Sequence, residues 1–116
     1  MHTGQDIPRL ADIQAIRELS AVYNRAVDDG SVDTFVSIFT DDGRFETVGP
    51  SGPIVREGCE ALKEVAARPR RQQLHTTTDA VVTMDGDEAK QISALACFKR
   101  SQNAGEPPSI GWSLRR

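Results

Sequence analysis

Asp28 and Asp29 stand just before Gly30, at the close of a stretch whose apolar residues recur at helical spacing. A carboxylate there meets the negative end of the helix macrodipole, and burial would disfavour its charge further. His75 opens a later run rich in threonine and valine. Near neutral pH a histidine takes and returns a proton, provided its ring is oriented and its charged form stabilised. A carboxylate against one ring nitrogen does both, by fixing the tautomer and offsetting the imidazolium charge. Asp28 supplies that partner if the helix end and the strand start meet. Tyr23 lies about 140° around an ideal helix from Asp28, so the two could flank a pocket, with the phenol donating to a substrate oxygen. Asn24 is nearer the line of Asp28 and is a second polar candidate.

The elements that must position these residues follow from periodicity. In Asp12 to Asp42, Ile13, Ile16, Leu19, Ser20, Tyr23 and Val27 mark one face of a long helix. That helix is expected to start near Arg9 or at a capping Asp12, after a loose leader at residues 1–8, and to end at Gly30. Ser31 reads as the N-cap of a short helix, Val32 to Phe39. Arg44 to Val48 alternates like a strand, Gly49 to Pro53 is a turn, and Ile54 to Glu57 is a returning strand. A third helix, Cys59 to Ala67, stops before Pro69. Leu74 to Met84 and Glu88 to Arg100 form a long hairpin around Asp85-Gly86-Asp87. Ile110 to Leu114 is a last short strand carrying the single tryptophan. Helices clustered early and antiparallel strands late give an α+β fold, with helices on one face of a curved sheet whose open mouth is a natural ligand site.

At 116 residues the chain is expected to form one domain, residues 1–116. A net charge of -3 offers no electrostatic case for nucleic acid or a membrane surface. No apolar run is long enough to span a bilayer and no leader is apparent, so a cytoplasmic location is the expectation. Cys59 and Cys97 read as buried small hydrophobes, and no metal-type cysteine spacing exists. Neither cofactor nor metal is expected. The basic run Arg68, Arg70 and Arg71 reads as solvated surface, and Arg115 and Arg116 as a polar tail.

Several motifs in register resemble the SnoaL-like family of the nuclear transport factor 2-like superfamily. They are Tyr23-x4-Asp28, Asp28-Asp29-Gly30-Ser31, Phe39-Thr40-Asp41-Asp42-Gly43, Glu57-Gly58 before a helix, His75 opening the long strand, and Asp85-Gly86-Asp87 followed by Ala89. The resemblance implies a cone-shaped α+β barrel with a pocket between a curved, mostly antiparallel sheet and its helices. Within the family, the dehydratase-like branch is most similar, with an aspartate near the end of the first helix and a histidine at the start of the long hairpin. Asp28 and His75 match those positions, and Tyr23 matches a tyrosine that some members use. The chain departs from the family after the hairpin: Gly111-Trp112-Ser113-Leu114-Arg115 resembles only the end of the usual pattern, so the C-terminal strand region is shortened.

The expected chemistry is then proton abstraction by His75 next to a carbonyl or aromatic ring. Asp28 holds the imidazole and Tyr23 polarises the substrate oxygen, leading to loss of water or a double-bond shift. Asn24, Phe39, Ser93 and Cys97 are expected to contact the substrate, a small hydrophobic oxygenated molecule such as a polyketide, steroid or terpenoid. Plainer readings stand beside these. Asp28 could be a turn former or cap, His75 a satisfied residue at a sheet edge, Tyr23 part of the core and Cys97 packing. The alternative function is a non-catalytic ligand-binding or association domain of the same fold. An epoxide hydrolase would want further acid and amide partners around an attacking water. A shortened sheet exposes apolar area, so a homodimer through the sheet face is expected.

Overall fold

The computed structural model describes residues 6–68, 73–100, 105 and 109–115. The first helix, α1 (Asp6–Asp29), begins earlier than its spacing suggests, so Asp12 lies in its interior and not at a cap. Residues 6–8 are helical where a loose leader was expected. Pro8 sits in the first turn, where its missing N–H would have no intrahelical partner anyway. Gly30, with φ of 71°, closes the helix, and the Ser31 N–H reaches back to the Ala26 carbonyl at 2.9 Å. That bond satisfies one of the last carbonyls and turns the chain sharply.

The next helix, α2 (Val32–Ser37), follows Ser31, whose side chain makes no capping bond. Its carbonyl instead accepts the Phe35 N–H at 3.0 Å. Phe35 is fully buried and gathers the rings of Tyr23, Phe39 and Phe45 at centroid distances of 5.5, 5.2 and 6.2 Å. Around it lie Ala26, Val27, Leu62, Val65 and Ala66, so the core joins α1, α2 and α3 (Cys59–Ala67). Burial of Phe35 and Leu62 contributes about 1.5–3 kcal/mol each. Gly43 lets the chain pass closely under this cluster, since a Cβ there would fall 2.7 Å from that of Phe39.

β1 (Arg44–Gly49) and β2 (Gly52–Glu57) form an antiparallel pair. β3 (Gln73–Asp85) and β4 (Glu88–Lys99) form the long hairpin, and β5 (Ser109–Arg115) adds to β4, giving the order β3-β4-β5. The element order matches the sequence reading, and the fold is α+β. Register shifts between Thr78 and Val81, where Asp79 and Ala80 together oppose Ser93. Asp79 adopts φ of 54°, and the Ala80 carbonyl accepts a 3.2 Å bond from Arg17 of α1. A bulge of this kind bends the strand and increases its twist, here where β3 passes along α1. The run 69–72, with Arg70 and Arg71, lies outside the described residues.

Candidate functional site

Ser20, Asn24 and Asp28 recur at one-turn spacing on α1 and each bonds across to the sheet. Ser20 accepts from the side-chain amide of Gln91. Asn24 donates to the Thr77 hydroxyl at 2.9 Å. Asp28 meets His75 twice: one carboxylate oxygen accepts the backbone N–H at 2.8 Å, and the other pairs with ring Nδ1. His75 and Thr77 share a face of β3 by strand alternation, and on β4 the same alternation carries Leu95, opposite Thr77, through Ser93 to Gln91 on that face. The side chains of His75 and Asp28 are 13% and 11% exposed. With Nδ1 engaged by the carboxylate, Nε2 is the nitrogen left to exchange a proton.

His75 forms a wall between two spaces. A groove of about 730 Å³ between α1 and β3 is lined by Asn24, Asp28, Thr77 and one side of His75. A chamber of about 150 Å³ is lined by His75, Tyr23, Val27, Phe45, Thr47, Ile54, Arg56, Val65 and Arg68. A third space, an apolar groove of about 300 Å³, runs along Ile16, Leu19, Tyr23, Ile38 and Leu95, with Asn24, Gln91 and Ser93 among its lining residues. Asn24 is 6% exposed, and among the described residues its side-chain carbonyl has no hydrogen-bond partner, nor has that of Gln91.

The sequence-derived residues are therefore divided. Asp28 and His75 touch, and His75 shares the chamber with Tyr23, whose ring also belongs to the aromatic cluster. Asn24 and Ser93 line the apolar groove. Phe39 lines none of these spaces; its ring packs on Phe35, so its apolar spacing reported core and not pocket. Cys97 lines none of them either and stands across β4 in register with His75 and Gly111. Leu19, expected on the inner face, is 46% exposed at the groove. Arg56, Arg68 and Gln91 were not singled out as site residues: Arg56 sits in a short strand with no clear polar and apolar faces, and Gln91 in a polar stretch of β4.

Among the described residues, no cluster of His, Cys, Asp and Glu is arranged to hold a metal ion, and no helix is long and apolar enough to cross a membrane. The SnoaL-like domain profile matches residues 8–115. Among solved structures, a Mycobacterium tuberculosis protein of unknown function, crystallised as an Asp-to-Asn variant, is 28% identical with a TM-score of 0.79, covering 96% of this chain and 64% of that one. The chain thus spans less than two thirds of that protein's length. A nuclear transport factor 2-like protein with a cystatin-like fold from Novosphingobium aromaticivorans is 22% identical, TM-score 0.77, covering 93% of this chain and 69% of that one. A protein from the same organism provisionally assigned as a scytalone dehydratase is 18% identical, TM-score 0.71, covering 91% of this chain and 71% of that one. At these identities the last two show the fold alone. No curated protein matches significantly.

Proposed function

The chain belongs to the SnoaL-like family, and from that premise we propose that it is a cofactor-independent lyase or isomerase of the dehydratase type, acting on a small, largely apolar, oxygenated substrate. The observation that carries this reading is the paired contact between Asp28 and His75 at a cavity wall. Nε2 of His75 takes a proton from the carbon next to a carbonyl, while Asp28 holds the ring and offsets the imidazolium charge. Tyr23, which shares the chamber, donates to the substrate oxygen as the electron pair moves onto it. The imidazolium then gives its proton to a departing hydroxyl, releasing water, or returns it to another carbon, shifting the double bond. Asn24 and Ser93 border the adjoining apolar groove. The dehydratase assignment of one structural neighbour is consistent with this chemistry.

The test is turnover of a panel of β-hydroxy ketones and hydroxylated dihydronaphthalenones, followed as loss of water or double-bond migration by mass spectrometry and absorbance. At least one member should react, and His75→Ala should lower its rate by about a hundredfold or more. Asp28→Asn should lower it comparably, with circular dichroism unchanged. Full activity in both variants would overturn the proposal. Binding without turnover across the panel would favour a ligand-binding domain.

A further inference from the structure

The chamber has a second wall that proton transfer alone does not require. Of the charged side chains lining its roughly 150 Å³, Arg56 and Arg68 are both cationic, and no aspartate or glutamate lines it. The chain as a whole carries a net charge of -3, so this is a local arrangement and not a reflection of composition. Arg56 projects from β2 with its side chain only 28% exposed. Its Nε lies 3.4 Å from Glu64, whose own side chain is 66% exposed, so the counter-ion stands toward solvent. Arg68 follows α3 in extended conformation and borders the same space.

Arg56 and the exposed Arg68 border the same chamber as His75. A carboxylate entering the chamber fits the planar donor fork that arginine presents. A cavity of about 150 Å³ accepts one benzene-sized ring, and Val27, Phe45, Ile54 and Val65 supply its apolar lining. Resting on the reaction proposed above, we infer that the substrate carries a carboxylate, held by Arg56 and Arg68 with the reacting carbon turned toward His75. Arg56 and Arg68 then set specificity for an anionic, single-ring or similarly compact acid, and the same guanidiniums face the negative charge that develops on the substrate.

The probe pair is benzoate and its neutral isostere benzamide, titrated into the full chain at neutral pH and followed by calorimetry and by imidazole proton shifts. Benzoate should bind about tenfold or more tightly than benzamide, and its affinity should fall as salt is raised. Arg56→Gln should lower benzoate affinity about tenfold while leaving benzamide unchanged, and Arg56→Lys should retain part of the preference. Glu64→Gln, which touches only the outer side of Arg56, should keep benzoate binding and reports that the fold tolerates loss of the ion pair. Equal affinity for the two probes overturns the inference, as does benzoate affinity unchanged in both Arg56→Gln and Arg68→Gln. Selective benzoate binding without turnover of the panel, extended to members that carry a carboxylate, would retain the anion site and remove the lyase reading. Turnover of neutral substrates with no preference for benzoate would do the reverse.

Discussion

Asp28 illustrates how competing magnitudes decide a residue's place. A carboxylate at a helix C-terminus costs about 0.3–1 kcal/mol against the macrodipole, whereas hydrogen bonds to a charged group are worth about 1.5–3 kcal/mol each. Asp28 makes such bonds to the His75 backbone and ring, so the bonds win. An asparagine in its place keeps one oxygen for the His75 N–H, but its NH2 can only donate to ring Nδ1, so the charge-assisted bond is lost and the ring is held in the other tautomer. Asp28→Asn is therefore expected to lower unfolding stability by about 1–3 kcal/mol, read as a lower denaturant midpoint at unchanged slope. Asp28 was legible because a carboxylate at a helix end needed explaining, and His75 because its place at the start of the long hairpin resembles that of a family histidine. Gln91 was not, since a polar residue on a strand says nothing about which face it takes until the pairing of Leu95 with Thr77 sets the register. Phe39 misled for the opposite reason: an apolar helix face is the same signal for core as for cavity lining.

The elements hold the site through two backbone positions in the left-handed region, Gly30 and Asp79, with φ of 71° and 54°. Gly30 ends α1 one residue after Asp29, so it fixes where the helix stops relative to Asp28. A methyl group there would meet only the Ala66 carbonyl, at 3.9 Å, so the cost of Gly30→Ala is conformational, about 1–2 kcal/mol in thermal unfolding. Asp79 is exposed, and an aspartate tolerates this region better than a branched residue does. Asp79→Gly should leave stability within about 0.5 kcal/mol, while Asp79→Val should cost about 1–2 kcal/mol; equal effects from the two would show that the bulge does not constrain the strand. Boundaries were most legible where turn chemistry is explicit: Gly30 ends α1 and Asp85-Gly86-Asp87 joins β3 to β4. The start of α1 was not, because Pro8 is compatible both with a first helical turn and with a loop.

At the scale of the molecule, the outline is long, 55 × 33 × 26 Å, with a radius of gyration of 16.4 Å against about 13 Å for a compact chain of this length. The β3-β4 hairpin contributes to this, since residues 85–90 around its turn are exposed. One face of the sheet carries His75, Thr77 and Leu95 toward α1. On the other, Leu74 and Phe98 stand opposite each other, 56% and 37% exposed. Ala96 and Ala94 continue that face along β4, with Thr76 and Thr78 opposite them on β3. Such a stripe, apolar and low in charge at its centre, suits a self-complementary contact in which a two-fold axis places the same residues on both sides. We accordingly propose that a second copy of the chain packs on this face. Wild-type protein should sediment as a dimer at micromolar concentration, and its melting temperature should rise with concentration, because association stabilises only the folded state. Leu74→Glu would bring like charges together across the axis and should yield a monomer that melts lower and independently of concentration. A wild-type monomer at that concentration, or a Leu74→Glu variant that still pairs, would show that the exposed face has another role.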